Sequence, residues 1–134
     1  MQPARILFPD VPLWATTYLR AALAARSEAY TSGVHVDTSM PDKRPKRAVI
    51  CRRDGGPRLD SARESARLAV QVWAGTEQDV NDLTCLVRAL IWAAPNGDPV
   101  VRVDDSAGPS TIVDESKQPG RYMTFDVIVR GTPL

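Results

Sequence analysis

The stretch Arg121 to Arg130 limits what this chain can fold into more than any other. Met123, Phe125, Val127 and Val129 occupy every second position, and Tyr122, Thr124, Asp126 and Ile128 fill the places between. In a strand, residues at period two all point the same way, whereas a helix would scatter them around its axis. The chain therefore has a sheet with one apolar face, and that face needs a cover. With 134 residues the chain suits one domain, read as 1–134, and is short for two. A domain of this size buries roughly two thirds of its unfolded surface, so it needs no disulfide or metal to hold a core.

Two helices supply the cover. Asp10 is an N-cap for a helix with Pro12 in its first turn, running to about Arg26. Its stripe is Val11, Trp14, Ala15, Tyr18, Ala22 and Ala25, widened by Leu19 and Leu23. Thr76 with Asp79 resembles a capping box ahead of a second helix to about Ala93. There the stripe is Val80, Leu83, Val87, Leu90 and Ile91, with Leu86 at its margin.

Shorter runs give the other strands. Val34 to Thr38 and Ala48 to Arg53 read as a hairpin whose tip is Met40 to Arg47. Asp54-Gly55-Gly56 is a turn, residues 57–65 are ambiguous, and Leu68 to Trp73 is a third strand. Val100 to Val103 is a fourth, followed by a long polar loop over 104–120. The expected order is α-β-β-β-α-β-β. This is an α+β fold: a mostly antiparallel sheet of four to five strands with two helices on one face.

Residues 1–9 read as an extended N-terminal arm, because Pro3 and Pro9 bracket Ile6, Leu7 and Phe8. The arm either packs on its own domain or docks on a partner.

Catalytic chemistry finds little support. The single histidine, His35, lies among valines at a strand start, with no nucleophile elbow or reactive cysteine to complete a triad. Cys51 and Cys85 have no metal-ligand spacing, so buried free thiols are the default. The Asp54-Gly55-Gly56-Pro57 turn lacks the Lys-Ser/Thr of a phosphate loop. Asp104 and Asp105 are adjacent on a strand end, where side chains diverge, so a solvated turn is favoured over a metal or acid/base pair. The expectation is a protein that is not an enzyme and takes no cofactor or metal.

The formal net charge is +1, so no overall field draws the chain to nucleic acid or membrane. Local charge is more informative. Lys43, Arg44, Lys46 and Arg47 surround Pro45, while Asp104, Asp105, Asp114 and Glu115 lie in the expected acidic loop, relieved only by Lys117. The basic cluster reads as a solvated tip, a protein contact or a phosphate contact; no aromatic residue interleaves it to stack bases. In a ring each subunit uses two different surfaces, and opposed charge steers such pairing. The basic tip of one subunit is therefore expected to meet the acidic loop of the next.

No apolar run approaches the roughly 18 residues of a membrane span, and no charged-then-apolar leader is visible. Synthesis and assembly in a cytoplasm are expected. All basic residues except Lys43, Lys46 and Lys117 are arginine, a usage that suits a GC-rich genome.

Four stretches carry a resemblance. They are Pro9-Asp10-Val11-Pro12-Leu13 before an Ala-rich helix, Val49 to Arg58, Val72-Trp73-Ala74-Gly75-Thr76-Glu77, and Val127-Ile128-Val129-Arg130-Gly131. The chain resembles, over nearly its whole length, the tail terminator proteins of long-tailed phages that infect actinobacteria, and is similar to those of phages lambda and SPP1. The resemblance implies a small α/β domain in a ring, hexameric in that family, at the neck end of the tail tube in the virion. Such a ring stops tube polymerisation, and its partners are other copies of itself, the major tail tube protein and the head–tail connector or stopper. DNA only passes through its lumen. The alternatives are another neck component, where an adaptor is expected to be mostly helical, a small ligand-binding or enzymatic α+β domain, and a nucleic-acid-binding module, which the charge balance disfavours.

Overall fold

The period-two run forms the longest ladder of the molecule, at the heart of an α+β fold. The computed structural model describes residues 5–134. Its elements are β1 (Ile6–Leu7), α1 (Val11–Ala24), a 3-10 turn (Ala29–Thr31), β2 (His35–Asp37), β3 (Ala48–Arg53), β4 (Arg63–Trp73), α2 (Glu77–Ala93), β5 (Val100–Ile112), β6 (Gly120–Arg130) and β7 (Thr132–Pro133). Five strands form one sheet in the order β2-β3-β4-β6-β5, and β1 pairs with β7 apart from it.

β6 pairs antiparallel with β4 over its full length, from Trp73 opposite Gly120 to Arg63 opposite Arg130. Met123, Phe125, Val127 and Val129 join Leu68, Val70 and Val72 of β4 and Val49 and Cys51 of β3 in a fully buried core. Both helices pack on this face. α1 contributes Val11, Ala15, Leu19 and Leu23, and α2 contributes Val80, Leu83, Val87 and Ile91. The helices are tied by Tyr18, whose hydroxyl donates to the Leu90 carbonyl at 2.7 Å.

The caps form where the sequence places them. The Asp10 carboxylate accepts from the Leu13 amide at 3.0 Å, and the Thr76 hydroxyl accepts from the Asp79 amide at 3.1 Å. The reciprocal half of the second capping box is missing, because the Asp79 carboxylate is taken by Arg47 at 2.9 Å. α1 stops at Ala24, short of Arg26, and Ala25 is exposed beyond it.

Three expectations are corrected. β2 and β3 are parallel, with His35 opposite Ala48, so residues 38–47 are a crossover and not a hairpin tip. The crossover runs back across the sheet face away from the helices. There Met40 packs on a second apolar cluster of Ala48, Ile50 and Trp73, joined by Ile112. Burying these side chains stabilises the return path, which a tight hairpin turn would leave uncovered.

Residues 104–112 are not loop. β5 continues to Ile112 as an edge strand, and only 113–119 connect it to β6. The polar and Gly-Pro residues that read as loop are accommodated by three register shifts, between Val100 and Ser110. Bulges, charge and proline are tolerated on a free edge, where one side of the strand needs no ladder partner. Likewise the third strand begins at Arg63, five residues before the expected Leu68.

Candidate assembly surfaces

The two oppositely charged segments meet inside one chain. The crossover 38–47 lies against the β5–β6 connection, and Gln118 is the tie. Its amide nitrogen donates to the carbonyls of Pro45 at 3.1 Å and Lys46 at 3.3 Å, while its amide oxygen accepts from Arg44 Nε at 3.0 Å. The Arg44 guanidinium lies 4.7 Å from the ring centre of Trp73 and 3.9 Å from the Asp114 carboxylate. The Asp114 carboxyl is held below its usual range, first by the Ser116 hydroxyl and then by the Ser116 amide, with Arg44 adding a smaller charge effect.

The other charged candidates are also engaged locally. Arg47 spans from Asp79 to the Ser32 carbonyl, which it reaches at 3.1 Å. Asp104 and Asp105 point to opposite faces of β5: Asp104 accepts from Arg102 at 2.7 Å, and Asp105 accepts from Arg88 and from the Trp92 indole at 3.1 Å. The Asp105 carboxyl is lowered chiefly by its Arg88 hydrogen bond. Arg44 of the basic segment and Asp114 of the acidic one are thus in contact within a single chain. Of the eight charged candidates, Lys43, Lys46 and Glu115 are exposed and make no ion pair among the described residues.

The arm is docked on its own domain. Ile6 and Leu7 pair with Pro133 and Thr132, and Phe8 packs against the edge of the core under Arg58, whose guanidinium lies 5.1 Å from the ring centre. Leu7 remains 60% exposed. Residues 1–4 of the expected arm lie outside the described residues.

Two apolar surfaces escaped the sequence reading. One is a groove between α2 and the edge strand β5, about 360 Å³ in volume and lined by Cys85, Arg88, Ala89, Trp92, Asp105 and Pro109. Trp92 is about half exposed, and the Arg88–Asp105 pair neutralises the groove's charge. Cys85, expected to be buried, is exposed there, whereas Cys51 is buried. The second surface is the start of α1, where Leu13 and Trp14 stand beside Tyr18, and the Trp14 and Tyr18 rings stack with centroids 5.9 Å apart. Both had a signal in the sequence: Leu13 and Trp92 are large apolar residues next to, and not on, their helix stripes.

His35 Nε2 lies 3.3 Å from Asp37 Oδ2 on β2. Among the described residues no three His, Cys, Asp or Glu side chains are grouped to hold a metal ion, and no helix is long and apolar enough to cross a membrane.

No protein-family model and no curated protein matches the chain.

Proposed function

We propose that this chain is a structural subunit of a long-tailed phage virion, closing the tail tube as a ring. The observation that carries the reading is the pair of exposed apolar surfaces, one on α1 and one between α2 and β5, which share no lining residue. A ring needs two different surfaces on each subunit, one for each neighbour. Exposed apolar patches of this kind mark protein contacts on soluble domains. The four sequence stretches that resemble tail terminators support the same reading, and five strands with two helices favour it over a mostly helical adaptor.

In this reading the ring, hexameric as in the terminators it resembles, sits on the last ring of the tail tube. It stops tube polymerisation and offers its far side to the head connector. DNA passes through the lumen without being bound for its sequence, and the protein works by contact alone, without a cofactor. It is made in the host cytoplasm and ends at the neck of the virion. Lys43, Lys46 and Glu115 supply the electrostatic part of the subunit contact. Their side chains are free for it, whereas Arg44 and Arg47 hold the fold itself.

The test is tube growth. Purified tail tube protein from the same virion is polymerised with and without this chain. Shorter tubes carrying the chain at one end support the reading; tubes of unchanged length with no chain attached overturn it.

A further inference from the structure

The pairing of β1 with β7 is built as a plug and socket. The two strands form a sheet of their own, and neither pairs with the five-stranded sheet. The socket is centred on Gly131. A Cβ there would lie 2.2 Å from Ile6 Cγ2 and 3.1 Å from both the Leu7 carbonyl oxygen and Phe8 Cδ1, so only glycine leaves room for the arm. Arg58 closes one side over Phe8, and the Leu134 amide donates to the Arg5 carbonyl at 2.8 Å.

The plug is joined to α1 only through Pro9 and Asp10, and Asp10 is extended at φ −75 and ψ 98. Pairing over two residues gives little local stability, so such a segment opens at low cost relative to the core strands. Every contact the arm makes with its own socket is equally available in the socket of another copy. With the arm docked at home, Leu7 is 60% and Leu134 81% exposed, leaving apolar surface at the rim of the socket for a neighbour to cover.

We propose that the arm is exchanged between copies: Ile6, Leu7 and Phe8 of one subunit occupy the Gly131 socket of the next. The inference rests on the ring reading and adds a contact to it. Each subunit gives its arm to one neighbour and takes the arm of the other, a head-to-tail exchange that reinforces the contacts of the two apolar surfaces.

The test uses Leu7 and Thr132, which stand opposite each other across the ladder. Opposed residues at a hydrogen-bonded antiparallel pair have Cα atoms about 5.5 Å apart, within disulfide reach. Leu7→Cys and Thr132→Cys are made singly, each with Cys85→Ser to remove the exposed thiol. The two variants are mixed as monomers, assembled and oxidised. Exchange predicts a shift from monomer to cross-linked dimer in the mixture that neither variant gives alone. If rings form and the mixture stays monomeric, while the double variant Leu7→Cys/Thr132→Cys closes within one chain, exchange is overturned and the ring stands. If no oligomer forms at any concentration, the ring reading falls and exchange falls with it.

Discussion

Gly120 faces the indole of Trp73 across the β4–β6 ladder, so closely that a Cβ on Gly120 would lie 2.6 Å from both Trp73 Cε3 and Cζ3. The glycine is buried and is required by packing, because the ring occupies the space of its missing side chain. Gly120→Ala is expected to destabilise the protein by about 1–3 kcal/mol, the usual cost of overpacking. The urea midpoint should fall at unchanged slope. Combining it with Trp73→Leu should cost less than the sum of the two single changes; full additivity would contradict the contact.

Gln118, and not the Arg44–Asp114 ion pair, is expected to hold the crossover in place. Its side chain satisfies two carbonyls and one guanidinium. Gln118→Ala should cost about 1 kcal/mol and raise amide hydrogen exchange within residues 38–47. Asp114→Asn should leave exchange there unchanged, because a 3.9 Å pair open to water contributes little. Equal effects from the two variants would contradict this ranking.

The two thiols should differ sharply in reactivity. Burial pushes the Cys51 thiol up to about 12 and leaves it no exposed surface, whereas Cys85 is exposed on α2. At mildly alkaline pH the native protein is expected to take up one equivalent of a thiol reagent, at Cys85, and a second only when unfolded. Cys51→Ser should cost about 1–3 kcal/mol by burying a hydroxyl among apolar groups. Rapid native labelling of both cysteines would contradict the packing.

Stability should weaken in acid. Asp60 is held below the usual carboxylate range first by the Ala62 amide and then by Arg63, and Asp105 first by Arg88. A carboxyl depressed in the folded state stabilises it above the unfolded pKa, and that contribution is lost as pH falls through the folded value. The decline therefore begins below about pH 4. It should be shallow, because both groups are open to solvent. Asp105→Asn should flatten the slope of unfolding free energy against pH in this window, and an unchanged slope would contradict the assignment.

Much of this was legible in the sequence, and the failures share a cause. The β6 run, the Asp10 and Thr76 caps and the α2 stripe are local patterns, and local patterns fixed them. Asp104 to Pro109 has loop composition, which by itself ends the fourth strand at Val103, and only its position on a sheet edge makes that composition acceptable in a strand. Nearness in sequence suggests a hairpin for the β2–β3 pair. Its direction is instead set by Met40, Ile50 and Trp73, which meet only after folding. The charged candidates were found by type, but opposite charge does not say whether a pair closes within a chain or between chains. Gln118, which joins the two segments, carries no charge and gave no signal.

Native mass spectrometry with negative-stain imaging of the purified protein decides whether copies of this chain close into a ring. Several copies in a closed assembly with a central hole are expected. A single chain at every concentration, with no closed particles, would contradict the claim.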